Sequence, residues 1–155
     1  MIKIITVGKL KEKYLIDAVE EYKKRLSKYT KIEIIEVKDE SSYEEDKNKE
    51  KEAENIIKYI GDKDFIITLE IDGKEISSVE FASKIENIFN INSNITFIIG
   101  GSYGLSNRIK ELSNYKLSFS KMTFPHQLFR VILLEQIYRT FKINNNESYH
   151  KWIKW

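Results

Sequence analysis

Only a few side chains in this sequence can carry out chemistry. Its 155 residues include no cysteine and two histidines, His126 and His150. That excludes thiolate catalysis, disulfides and cysteine-held zinc or iron–sulfur clusters, and it gives a histidine metal site little basis. What remains are glycine turns, hydroxyls, carboxylates and cations gathered in a few segments: Thr68-Leu69-Glu70 with Asp72-Gly73, Gly100-Gly101-Ser102-Tyr103-Gly104, and Phe119-Ser120-Lys121-Met122-Thr123-Phe124-Pro125-His126. The glycine segment fits neither G-x-G-x-x-G nor G-x-x-x-x-G-K-[ST], so a nucleotide-phosphate cradle is disfavoured. Glycines there allow close backbone approach to a ligand, and they equally mark an ordinary turn. His126 and Arg130, at i and i+4, share a helix face that either meets a polyanion or solvates the outside of a core helix; Glu135 and Arg139 have the spacing of a simple intrahelical ion pair. The tail 144–155 interleaves Tyr149, His150, Lys151, Trp152 and Trp155, a mixture suited to base stacking and phosphate contact, or to packing in a groove or on a partner subunit.

The surrounding pattern says what must position these residues. Apolar runs at Ile2–Val7, Ile32–Val37, 65–71, Ile95–Ile99 and 115–119 predict five strands. Between them, Leu15, Ala18, Val19, Tyr22, Leu26 and Tyr29 recur at helical spacing over 11–29. A second helix is expected to follow an acidic loop from 39 and to end near Gly61. Ser77-x-x-Glu80 is a capping-box start for a third, 105–112 suits a short fourth, and Pro125 is expected in the first turn of the last, which runs to Phe141. Asp72-Gly73 reads as a turn that closes the third strand. Strands that are apolar throughout and alternate with helices predict an α/β fold, a mostly parallel sheet covered by helices on both faces. In such sheets ligands bind beyond the carboxyl ends of the strands, where the three segments named above fall.

Composition sets the outer bounds. The length and the 41% apolar content suit one domain, and neither a secretory leader nor a run long enough to span a membrane is evident, so a cytoplasmic protein is expected. The net charge of +2 conceals segregation. Residues 1–31 carry 9 basic and 4 acidic groups, 32–107 carry 8 and 17, and 108–155 carry 9 and 3. A solvated acidic middle accounts for this, as does a basic surface built from the two ends and turned toward phosphates.

Taken together, Phe97-Ile98-Ile99-Gly100-Gly101-Ser102-Tyr103-Gly104-Leu105, Leu117-Ser118-Phe119 through Gln127, Arg130, Glu135-Gln136, Tyr138-Arg139 and Tyr149-His150-Lys151 resemble the ribosomal large subunit methyltransferase H family of the SPOUT class. The opening residues 4–11 and the stretch 22–26 share the likeness, which therefore covers almost the whole chain. The resemblance implies a single domain over 1–155 with a deep trefoil knot over about 95–143, and a homodimer that methylates N3 of a pseudouridine in large-subunit rRNA on assembled ribosomes. The donor would be S-adenosyl-L-methionine, with no metal. It puts the donor site on Leu69, Gly100, Phe119, Ser120, Lys121, Met122, Thr123 and Phe124. The chemistry of that acceptor, a weakly acidic N3–H, makes His150, Tyr149, Arg139 and His126 the expected catalytic residues, with Tyr149 and His150, on a tail that reaches the partner's site, orienting the base or helping to remove its proton and Arg139 or Lys151 offsetting charge. The chain departs from the family pattern by continuing through Trp152-Ile153-Lys154-Trp155, expected to pack on the dimer or contact RNA. Two other classes remain open: a non-catalytic ribosome-binding module that uses the same basic ends, and a small flavodoxin-like domain holding a phosphate-bearing cofactor.

Overall fold

The computed structural model describes residues 1–151, so the Trp152–Trp155 expectation lies outside the described residues. Five strands, β1 (Ile2–Val7), β2 (Ile32–Val37), β3 (Phe65–Glu75), β4 (Ile95–Ile99) and β5 (Tyr115–Ser118), form one sheet in the order β2-β1-β4-β3-β5. Every pairing is parallel. β1 and β4 sit at the centre, and their apolar runs are buried almost without break, as a sheet covered on both faces requires.

Five helices connect the strands: α1 (Lys13–Leu26), α2 (Glu45–Ile57), α3 (Ser78–Phe89), α4 (Asn107–Leu112) and α5 (His126–Asn144). One face buries Ile2, Ile4, Phe97 and Ile99 against Val19 and Leu26 of α1, Phe81 and Ile85 of α3, and Leu133, Leu134 and Ile137 of α5. The other buries Ile5, Val7 and Ile98 against Ala53 and Ile56 of α2 and Ile109 of α4. α5 packs between α1 and α3. Partners on both flanks explain why it buries Arg130 and Thr140 along with leucines and lacks a single apolar stripe. Ser77 caps α3 by accepting from the Glu80 N–H at 3.1 Å, as the capping-box pattern predicts.

The structure corrects several boundaries. α1 is shorter than its periodicity suggests, α2 starts at Glu45 within the acidic stretch and ends at Ile57, before Gly61, α4 begins after Ser106, which caps it, and β5 stops at Ser118. Pro125 is the residue before α5, with ψ 130°, and its carbonyl accepts from Phe129 N–H at 2.9 Å, so it caps the helix from outside the first turn. Asp72-Gly73 does not end β3. Leu69 and Lys74 both pair with Leu117, so the residues between them bulge outward while the strand continues along β5. Gly73 makes this feasible: a Cβ there would lie 2.7 Å from the Leu117 carbonyl carbon.

Candidate functional site

A cleft of about 220 Å³ opens at the carboxyl edge of the sheet, lined by the ends of β3, β4 and β5 and by the first turn of α5. Its floor is apolar, from Leu69, Ile99, Leu117, Phe124 and Phe129. The Phe129 ring stacks edge-on to Phe119 at 4.9 Å and lies 6.0 Å from Phe124, so α5 and the β5–α5 loop hold one another. Two serines shape that loop: Ser118 Oγ donates to the Ser120 carbonyl at 3.1 Å, and Ser120 Oγ accepts from Met122 N–H at 3.0 Å. On the opposite wall Gly100 and Gly101 line the cleft, and a Cβ on Gly100 would lie 2.7 Å from the carbonyl carbon of Gly104. The close turn, which leaves peptide groups facing the cavity, therefore requires glycine at this position. An apolar slot flanked by peptide groups fits a ligand with one flat apolar part and several polar edges.

Most of the residues expected to hold a donor meet here: Leu69, Gly100, Phe119, Ser120, Met122, Thr123 and Phe124 all line the cleft. Lys121 is exposed and does not line it. Glu70 also lines it, and sequence reasoning passed it over although the segment was singled out. Its carboxylate accepts from Thr68 Oγ1 at 2.6 Å and lies 3.9 Å from Lys110 Nζ. The β3 bulge directs it inward, and a turn assigned to Asp72-Gly73 gave no signal of that.

His126 lies on the border of this cleft and a second one, lined by Gly8, Lys9, Lys11, Glu36, Val37, Lys38, Asp39 and Gln127. Arg130, one turn on, neither meets a polyanion nor solvates a surface: it is fully buried. It donates to Glu36 at 2.8 Å and to the Gly8 carbonyl at 3.2 Å, while Glu36 also accepts from Leu10 N–H at 2.7 Å. Burial lowers the guanidinium's proton affinity and the Glu36 carboxylate opposes that loss. The basic group thus fastens the start of α5 to β2 and to the β1–α1 loop.

The remaining candidates gather at the far end of α5. Arg139 donates to Glu135 at 2.9 Å and contacts His150 Nδ1 at 3.0 Å, and its guanidinium lies 4.9 Å from the centre of the Tyr149 ring. Tyr149 donates to the same Glu135 oxygen at 3.0 Å and packs edge-on to Tyr138 at 5.0 Å. The ion pair expected from the i, i+4 spacing is therefore one edge of a larger network. Burial and the nearby Glu135 carboxylate push the Tyr149 phenol up. Arginine is a donor only, so Nδ1 of His150 accepts, and a neutral ring then carries its proton on Nε2. Ten residues of helix separate Phe129, which lines the cleft, from Arg139, about 15 Å, and none of Glu135, Arg139, Tyr149 and His150 is among the cleft's lining residues. Among the described residues, no group of three or more histidine, cysteine or acidic side chains could hold a metal ion.

Comparison with known proteins points the same way. Residues 1–150 match the family described as "Predicted SPOUT methyltransferase". A Methanococcus maripaludis protein is 60% identical over 97% of this chain and 99% of its own length. The ribosomal RNA large subunit methyltransferases H of Clostridium tetani and Clostridium beijerinckii are 57% and 55% identical with the same coverage. Among solved structures, that of a probable methylase family protein from Haemophilus influenzae Rd KW20 superimposes with a TM-score of 0.58 over 97% of this chain and 70% of that one, at 16% identity, which supports the fold alone.

Proposed function

The chain belongs to the SPOUT methyltransferase family, and from that premise we propose that it methylates N3 of a pseudouridine in large-subunit rRNA on assembled ribosomes, as a homodimer with a knotted C-terminal half. Relatives that align along nearly their whole length are named as rRNA large subunit methyltransferases. The observation that carries the proposal is the cleft itself, formed by the three strand-end loops where a methyl donor is expected. When bound there, S-adenosyl-L-methionine supplies an electrophilic methyl group on a sulfonium.

The chain's own residues have four tasks. Leu69, Phe124 and Phe129 exclude water and pack on the flat part of the donor. Peptide groups of Gly100 and of the loop 119–123 bind its polar edges, and the Glu70 carboxylate is available to accept from hydroxyls. The third task is to deal with the acceptor's weakly acidic N3–H. His126, at the cleft border, is in position to take or relay that proton. The fourth is to hold the base as its anion develops, by donors and cations from Arg139, His150 and Lys151. None of these lines the cleft of its own chain, so they serve the cleft of a second copy. Within that cluster Tyr149 acts as an anchor, since its phenol is buried and already donates to Glu135.

Calorimetry with S-adenosyl-L-methionine, together with mass spectrometry of rRNA from cells with and without the protein, tests this function. Stoichiometric binding and one pseudouridine methyl group that depends on the protein are expected. No binding at millimolar donor would overturn it in favour of a ribosome-binding module without catalysis.

A further inference from the structure

The second cleft at the carboxyl edge, about 530 Å³, adjoins the first through His126. His126 forms part of both linings, and a Cβ on Gly8 would lie 3.6 Å from its Nε2. The imidazole therefore stands as a partition between them. The second cleft is strongly basic on one wall. Lys9 and Lys11 are exposed and have no ion-pair or hydrogen-bond partner among the described residues, and Lys38 has a single long contact, 3.9 Å to Glu40. Its two carboxylates do not cancel this. Glu36 is taken up by Arg130 and by the Leu10 N–H, and that pair of bonds holds the loop carrying Lys9 and Lys11 in place. Asp39 also lines it, and its carboxylate is engaged by the Glu52 carboxyl.

A base that enters the donor cleft leaves its ribose and phosphates outside, so the adjoining strand has to lie along a neighbouring depression. Two are available. The one on the β5 side is lined by Ile76, Ser77, Ser78, Phe81, Gln136 and the end of β5, with no charged side chain. The one on the β1–β2 side carries the three lysines. Resting on the methyltransferase function proposed above, we infer that the cleft of Gly8–Lys11 and Lys38 holds backbone phosphate of the rRNA strand flanking the target nucleotide, with His126 marking the boundary between phosphate and donor sites. Lysines act on phosphate as point charges, so this cleft supplies affinity and register and leaves base identity to be read elsewhere. It also gives the basic N-terminal segment a defined place at the site.

The test is a Lys9→Ala, Lys11→Ala, Lys38→Ala triple variant of the full chain. A control carries Lys31→Ala, Lys58→Ala and Lys63→Ala, which removes the same charge from exposed positions at the opposite, amino edge of the sheet. Donor affinity is measured by calorimetry, and methyl transfer to assembled ribosomes is followed across a salt series. The triple variant is expected to bind S-adenosyl-L-methionine within about twofold of wild type and to lose tenfold or more in kcat/KM, chiefly through KM. Its plot of log kcat/KM against log salt should be shallower by about 0.7–0.9 for each phosphate that the lysines no longer neutralise. The control should match wild type. Unchanged KM and salt slope in the triple variant, or an equal loss in the control, would overturn the phosphate site. A wild-type protein that binds the donor and leaves rRNA unmethylated would instead overturn the function on which the site rests.

Discussion

The two ends of α5 solve different problems with different materials. At its start, the cleft is made of peptide groups, glycines and apolar rings with one carboxylate, Glu70, and the Arg130 guanidinium nearby is buried and spent on fastening elements together. At its end, Arg139, Glu135, Tyr149 and His150 form a dense polar network over aromatic rings. A slot with fixed walls and a single carboxylate suits a ligand that brings its own positive charge and must be held in one pose. A cluster of donors and cations suits an acceptor whose negative charge grows during transfer. About 15 Å of helix separates Phe129 in the cleft from Arg139, and the site proposed above combines the two across two chains.

The largest expected effect separates the ends by mutation. His150→Ala should cut methylation of ribosomes by about 10²-fold or more while leaving S-adenosyl-L-methionine affinity within about twofold. Gly100→Val should do the reverse, abolishing donor binding because its Cβ meets the Gly104 backbone. Neither variant should be appreciably active alone. If each site takes its cleft from one chain and its cluster from another, mixing the two variants and allowing exchange should restore about a quarter of wild-type turnover, because about half of the dimers would then be mixed and each would have one intact site. No recovery in the mixture would show that cleft and cluster serve each other within one chain.

A smaller effect probes how the donor end is held. Arg130→Ala leaves a void in the core and strips the Gly8 carbonyl and Glu36 of their partner, which should cost about 2–4 kcal/mol, moderated because Glu36 reaches solvent. A fall in Tm of roughly 5–15 °C is expected. Donor affinity should fall as well, since His126 and Phe129 ride on the same turns. Arg139→Ala, by contrast, should leave donor affinity within about twofold. Equal damage to donor binding from both substitutions would erase the distinction between the ends.

How far the sequence alone anticipated these structures differs in the same way. The strands, their parallel arrangement and the loops that line the cleft follow from local apolar runs and from glycines placed at strand ends, which are short-range signals. Arg130 does not follow. Its helical spacing from His126 suggests a surface face, and only the packing of α5 between α1 and α3, with Glu36 brought from β2, converts that position to a buried one. The same holds for Glu70, turned into the cleft because β3 bulges against β5 rather than ending at Asp72-Gly73. Both depend on partners far away in sequence, and no window along the chain contains them.

The ends should also answer pH with opposite sign. Beside the donor end, Glu52 on α2 is buried and accepts from Glu40 N–H at 3.0 Å; burial, with Asp39 and Glu40 close by, pushes its carboxyl up to about 7. The folded state then holds this proton where the unfolded chain has released it, so its contribution to stability falls as pH rises from about 4.5 to 7 and is flat above that. At the far end, Glu147 is held below its usual range by Lys142, 2.7 Å away, and by Tyr29. Its contribution is present above the ordinary carboxylate range and is lost as pH falls through the folded value. Glu52→Gln keeps an acceptor for the Glu40 N–H and should raise stability at pH 8 by up to roughly 3 kcal/mol, with little change at pH 4.5. Denaturant titrations at the two pH values measure this, and an equal shift at both would remove Glu52 as the source.

The smallest effect bears on what the distal cluster does. Tyr149→Phe removes only the phenol that donates to Glu135, while the ring can still pack on Tyr138 and under the Arg139 guanidinium. Glu135 keeps Arg139, so the loss should be about 0.5–1.5 kcal/mol. For an anchor, turnover should stay within about threefold of wild type and its pH profile should not move. A group that takes the N3 proton would behave otherwise: Phe at this position would lower turnover by about 10²-fold or more and shift the basic limb of the profile. Because the Tyr149 phenol is raised in pKa and already donates to a carboxylate, it is a poor acceptor at neutral pH. The weak effect is therefore the expected one, leaving proton transfer to the donor end of α5 and charge compensation to the other.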